Sequence, residues 1–121
     1  MTTEQLWKRY AAIWSTTESQ RVGELSACLA DDATYCDPNG LIEGRDALSA
    51  YMGGFQQNAP GASFRIRSVL HHHDRSLANW SMIGPAGDVM QNGTSFGLLA
   101  ADGRLRRISG FFYEGSQDRT S

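Results

Sequence analysis

Asp37 is the side chain in this sequence best placed for acid–base chemistry. It ends a segment, Leu29-Ala-Asp-Asp-Ala-Thr-Tyr-Cys-Asp-Pro-Asn-Gly40, in which Ala33-Thr34-Tyr35-Cys36 reads as a short strand and Pro38-Asn39-Gly40 as a turn. A carboxylate at such a strand-to-turn junction can face an apolar pocket. There it could take a proton from the carbon beside a carbonyl, provided hydrogen-bond donors are aimed at the enolate that develops. Aspartate before proline also caps turns through its own side chain, so the local sequence leaves both roles open. The other conspicuous run is His71-His72-His73-Asp74. On a strand His71 and His73 share a face and could meet a metal with a carboxylate, but the chain offers no second ligand cluster, and no metal site is expected. Cys28 and Cys36 lack zinc or redox spacing and read as reduced core residues. Neither a phosphate-cradling glycine loop nor a nucleophile motif is present, which disfavours a nucleotide cofactor and covalent catalysis, and no cofactor is expected.

The elements that must position Asp37 are legible from periodicity. Leu6, Tyr10, Ile13 and Trp14 recur at helical spacing with Trp7 adjoining, and Thr2 or Thr3 can cap the start. A second helix is expected over residues 19–29, with Val22, Leu25, Cys28 and Leu29 as its apolar positions and Asp31 and Asp32 closing it. The third is expected over 45–58, carrying Leu48, Tyr51, Met52 and Phe55 and stopped by Ala59-Pro60-Gly61. From there the texture is β: strands are expected over 63–73, 76–83, 90–100 and 104–113, with Ala101-Asp102-Gly103 a strong hairpin signal. Residues 1–114 are expected to form one domain and 115–121 a polar, frayed tail. Three helices followed by an antiparallel meander imply an α+β domain in which helices cover one face of a curved sheet and enclose a pocket. Its walls are expected to include Tyr10, Trp14, Tyr51, Phe55, Trp80 and Phe112, the apolar makeup of a small-molecule site. Arg65, Arg67, Arg104, Arg106 and Arg107 read as a solvated or interface face of the sheet.

The chain has 121 residues and a formal net charge of −2, with acids and bases mixed along it. That gives no basic stripe for nucleic acid and no polybasic patch for a membrane surface. No signal-like leader opens it, and no apolar run approaches the roughly 18 residues of a membrane span, so a cytoplasmic protein is expected.

The order and wording of several motifs carry a resemblance. The Leu29–Gly40 run, Gly44-Arg45-Asp46-Ala47-Leu48, His72-His73-Asp74, Trp80, Gly93, and Asp102-Gly-Arg-Leu-Arg-Arg-Ile-Ser-Gly-Phe-Phe112 look like a SnoaL-like domain of the nuclear transport factor 2-like (NTF2-like) superfamily. The resemblance covers roughly residues 4–114 and implies that superfamily's cone fold. It does not select a reaction, because the fold hosts isomerases, cyclases, dehydratases and binding domains. With ketosteroid isomerase as the chemical template, the resemblance implies Asp37 as base, Tyr10 as phenolic donor, and Ser95 where an acidic donor stands in the isomerase. Ser95 donates a weaker hydrogen bond than a carboxylic acid, so this departure weakens polarisation of a carbonyl. The resemblance further implies that His72 can look into the cavity, that Ile108 in the last motif lines it, and that the outer sheet face, with Thr94, Phe96, Leu98 and Phe111, forms a homodimer interface. The functional expectation is a pocket for a small apolar molecule, as a cofactor-free isomerase or cyclase, as a binding domain without catalysis, or as an interaction module that uses the sheet face.

Overall fold

The computed structural model of the protein describes residues 1–112. The expected tail at 115–121, and Tyr113 at the end of the expected last strand, lie outside the described residues. The first helix, α1 (Thr3–Ile13), is opened by a capping box: Thr2 Oγ1 accepts the Gln5 N–H at 3.0 Å, and the Gln5 side chain accepts the Thr2 N–H at 2.9 Å. It buries Leu6, Trp7, Tyr10 and Ile13 on one stripe. The next helix, α2 (Glu18–Cys28), buries Leu25 and Cys28 as expected, but its buried side takes in Arg21 in place of Val22. Val22 is 65% exposed, whereas Arg21 is 4% exposed. The guanidinium faces α3 (Arg45–Asn58), where it donates to Ser49 Oγ at 3.0 Å and Gln56 Oε1 at 3.2 Å, and it donates to the Thr16 carbonyl at 3.0 Å. A buried charge persists only when its donors are answered, and these acceptors answer them. Gln56 in turn donates to the Trp14 and Thr16 carbonyls at 2.8 and 2.9 Å, fixing the end of α1 against α3.

Six strands follow in one sheet: β1 (Leu29–Asp37), β2 (Gly40–Glu43), β3 (Ser63–His72), β4 (Arg75–Ile83), β5 (Val89–Leu99) and β6 (Leu105–Phe111), in the spatial order β2-β1-β6-β5-β4-β3. Three helices on a curved, mostly antiparallel sheet give the α+β architecture expected from the sequence. The pairs are antiparallel except β1 and β6, which run parallel and bring the first long strand beside the last. Three local expectations are corrected. The strand at Asp37 begins at Leu29, so Asp31 and Asp32 lie on it with exposed side chains and do not close a helix. Gly40–Glu43 is a strand of its own, formed because the Pro38-Asn39 turn folds it back on β1 with Asp37 opposite Gly40. A β-bulge between Ile66 and Ser68 reverses the face of everything beyond it.

Helices and sheet close on a dry core around Trp7, Ile13, Leu25, Leu29, Leu48 and Met52, with Leu105 and Ile108 from β6. Trp7 anchors α1 to the sheet: its indole N–H donates to Ser76 Oγ at 2.9 Å, and that hydroxyl donates to the Gly97 carbonyl at 2.9 Å. Gly97 gives the ring its seat, since a Cβ there would lie 2.5 Å from Trp7 and 2.7 Å from Leu105. Gly97→Ala therefore overpacks the core and is expected to destabilise the fold by about 1–3 kcal/mol in urea unfolding; a change below about 0.5 kcal/mol would show that the ring does not depend on the glycine.

Candidate active site

The end of the cone away from this core stays open, leaving a cavity of about 630 Å³. That is within the roughly 300–1,000 Å³ usual for small-molecule sites. Trp14, from the end of α1, is the hinge of its wall. Tyr51 and Phe55 on α3 meet it at 77° and 90°, Phe64 on β3 at 72°, and Tyr35 on β1 at 52°. The wall continues from Phe64 to Trp80 at 90° and from Trp80 to Phe112 at 67°. Rings meeting near right angles pack edge to face, which holds them apart as walls around a space they do not fill.

Asp37 sits in this wall as a four-fold acceptor. Its Oδ1 accepts the Asn39 and Gly40 backbone N–H groups at 2.8 and 3.1 Å and the Tyr51 hydroxyl at 2.8 Å. Its Oδ2 accepts the Tyr35 hydroxyl at 2.5 Å. Of the two roles left open by the sequence, the turn cap is made by Oδ1, while Oδ2 accepts the Tyr35 hydroxyl and keeps a lone pair to spare. Tyr35 shares the face because residues i and i+2 of a strand do. Tyr51 arrives from α3, its ring seated on Gly40, where a Cβ would lie 3.3 Å away.

Two further hydroxyls of the cavity wall have unspent protons among the described residues. Tyr10 is 4% exposed, and its oxygen has no hydrogen-bond partner among the described residues. Burial pushes its ionisation well above the ordinary tyrosine value; the nearby Trp14 indole opposes this, and the charge of Asp37 adds to it. Ser95 accepts the Trp80 indole N–H at 3.0 Å, which leaves its own proton for the cavity. Ser95 on β5 and Asp37 on β1 flank Gly110 of β6, whose Cβ position would be 3.5 Å from Ser95 Oγ and 3.7 Å from Asp37 Cβ. The two side chains therefore stand about two strand spacings apart, roughly 9.6 Å at the backbone, over a strand position with no side chain between them.

Tyr10, Trp14, Asp37, Tyr51, Phe55, Trp80, Ser95 and Phe112 all line the cavity. Ile108 does not; it is 1% exposed within the dry core. His72 does not either. A strict two-residue alternation from Phe64 and Ile66 would bring His72 inward, but beyond the bulge Val69 and His71 pair with Ala78 and Ser76 on the inner face. His72 lies opposite Arg75 at the exposed hairpin, its Nδ1 3.1 Å from that of His73. No group of three metal-ligating side chains converges among the described residues. The sequence reading missed Tyr35, which the two-residue strand period could have revealed, and Phe64, Ile66, Met82 and Gln91. Of these, Phe64 and Ile66 were visible as the apolar partners alternating with Arg65 and Arg67.

Helices and cone sheet agree with the comparisons to known proteins. The family model for the SnoaL-like domain matches residues 7–108. The chain belongs to the SnoaL-like family. A SnoaL-like family structure from Agrobacterium tumefaciens is 26% identical with a TM-score of 0.86, over 93% of this chain and 99% of that one. A protein from Catenulispora acidiphila with a ketosteroid isomerase-like fold, in complex with trimethylamine, is 15% identical with a TM-score of 0.77, covering 95% and 90% of the two chains. A protein from Jannaschia sp. CCS1 assigned as a SnoaL-like polyketide cyclase is 15% identical with a TM-score of 0.74, covering 91% and 84%. Among curated proteins none matches significantly. At these identities the last two likenesses speak for the fold alone. No helix among the described residues of this SnoaL-like domain is long and apolar enough to cross a membrane.

The contrast between Tyr10 and Tyr35 is directly measurable. Tyr10→Phe removes a buried hydroxyl that has no partner and is expected to leave stability unchanged or raise it, whereas Tyr35→Phe takes a donor from Asp37 and is expected to cost about 1–3 kcal/mol. Both phenols ionise above the ordinary 10.0 in the folded protein, Tyr35 chiefly through burial, with Tyr10 and the bond to Asp37 adding. The folded state then keeps protons that the unfolded chain releases, so this contribution is complete below pH 10 and is lost as pH rises beyond it. Urea midpoints measured from pH 8 to 11 should fall at the alkaline end, and less steeply in either variant. A flat profile, or a clear loss of stability in Tyr10→Phe, would show that these hydroxyls are not held as described.

Proposed function

We propose that this SnoaL-like domain binds a small, mostly apolar carbonyl compound and moves a proton on the carbon beside the carbonyl, as a cofactor-free enzyme of the isomerase or cyclase type. The observation that carries this reading is that two hydroxyls with unspent protons and a carboxylate line one apolar cavity. Tyr10 and Ser95 can donate to the carbonyl oxygen, and their bonds strengthen as negative charge develops on it in the enolate. The Trp80 N–H bonded to Ser95 polarises that hydroxyl further. Oδ2 of Asp37 takes the proton and returns it, with Tyr35 holding the carboxylate in place. A second reading, binding without turnover, is favoured by one observation: four donors, two from the turn and two from tyrosines, already occupy the Asp37 carboxylate.

Exchange of α-protons into heavy water, followed by NMR over a panel of apolar ketones and enones, separates the two. The catalytic reading expects exchange by the wild type, a loss of at least about a hundredfold in folded Asp37→Asn, and a loss of about a hundredfold in Tyr10→Phe. Compounds that bind without exchanging would establish the binding reading.

The outer face of the sheet supports a homodimer. Leu70 and Leu77 are paired neighbours and Leu77 pairs with Phe96, so an apolar ladder crosses three strands and extends to Leu98 and Thr94. Phe111, 63% exposed on β6, continues it. Light scattering at micromolar concentration is expected to give twice the chain mass and Phe111→Asp the monomer; a monomeric wild type would leave this face without that role.

A further inference from the structure

The charge inventory of the cavity is one-sided. Asp37 is the only ionised side chain among the described residues that line it, and no lysine, arginine or histidine stands in the wall. Among the described residues Asp37 makes no ion pair: the five salt bridges of the molecule join other residues, and the contacts of its carboxylate are two phenols and two backbone N–H groups. Hydrogen-bond donors solvate a carboxylate but do not neutralise it. The negative charge therefore enters the cavity uncompensated, in an apolar surround that screens it less than water does.

What surrounds it adds attraction of the same sign. Trp14, Tyr51, Phe55, Phe64 and Trp80 join at steep angles, so the box they form offers ring faces as well as edges. A ring face carries the negative side of the aromatic quadrupole and attracts cations, Trp most strongly. An anionic ligand would meet a carboxylate and these faces with no cation to answer it. An alkylated ammonium, weakly hydrated and apolar outside, would meet a counter-ion and an aromatic box together. We propose that the cavity selects ligands by charge and takes an organic cation, a compound carrying a tertiary or quaternary ammonium group lodged between Asp37 and the aromatic wall. The inference rests on the cavity being a small-molecule site, as above, and narrows the substrate class to amino or ammonium compounds, whose carbonyl oxygen remains free for Tyr10 and Ser95.

The test uses three para-substituted phenols: para-hydroxyphenyltrimethylammonium, its neutral isostere para-tert-butylphenol, and the anion para-hydroxyphenylacetate, titrated calorimetrically into the 121-residue chain. The cation is expected to bind about tenfold tighter than the isostere, with the anion weakest. In Asp37→Asn the advantage of the cation over the isostere, taken as the ratio of their affinities in that variant, should shrink to within about twofold. Phe55→Leu gives a second arm should Asp37→Asn fail to fold: it should weaken the cation several-fold more than the isostere. Equal or tighter binding of the isostere or the anion by the wild type overturns the proposal, as does a cation preference that survives in folded Asp37→Asn. Because these probes report affinity and not proton exchange, a failure here leaves the catalytic reading standing, and a failure of exchange leaves the charge preference standing.

Discussion

The carboxylate of Asp37 is where the cone is tied together. Through Oδ1 it closes the turn that sends β2 back along β1, and through the same atom it accepts from Tyr51 on α3. Through Oδ2 it accepts from Tyr35 on its own strand. One side chain thus joins the edge of the sheet to the helix that covers it, at the rim of the space between them. A hydrogen-bonded carboxylate at that junction holds the mouth of the cavity open at a fixed width, where apolar side chains would collapse into it.

The rest of the wall follows from the same constraint. A space that must stay empty between packed layers needs neighbours large enough to lean on one another, and Trp14 meets that need by touching rings from α3, β1 and β3. Its own placement depends on the α1–α2 junction, held by Gln56 and buried Arg21. Opposite it, glycines make room: Gly93 under the Trp80 ring, Gly97 under Trp7, and Gly110 between Asp37 and Ser95. The same strands thus seal a dry core at one end and leave a polar-tipped cavity at the other.

What the sequence disclosed, and what it withheld, divides along physical lines. The third helix was readable to the residue because Gly44 and Ala59-Pro60-Gly61 bracket an unbroken apolar period. The buried side of α2 was readable at Leu25 and Cys28 but not at Arg21, whose burial depends on Ser49 and Gln56 more than twenty positions away. The inward face of β3 was not legible beyond Ile66, since a bulge leaves no reliable mark in an alternating pattern, and His72, which the family resemblance turned toward the cavity, lies beyond that bulge on the other face. Ile108 carries the composition of a pocket wall and lies instead in the core, because its strand runs between the two regions. Asp37 was legible at its strand-to-turn junction, and Tyr10 and Ser95 as donors through the family's motif order; that Tyr10 has no partner among the described residues, while Ser95 and Asp37 do, belongs to tertiary geometry alone.

The proposed chemistry depends on the Tyr10 hydroxyl, unpartnered among the described residues, donating to a ligand oxygen. Labelling tyrosine at Cζ with carbon-13, assigning Tyr10 by Tyr10→Phe, and titrating with a naphthol as an enolate mimic reads this most directly. The account predicts that the Tyr10 resonance moves on saturation far more than that of Tyr35, which is already committed to Asp37. A naphthol that saturates the cavity and leaves Tyr10 unmoved would contradict it.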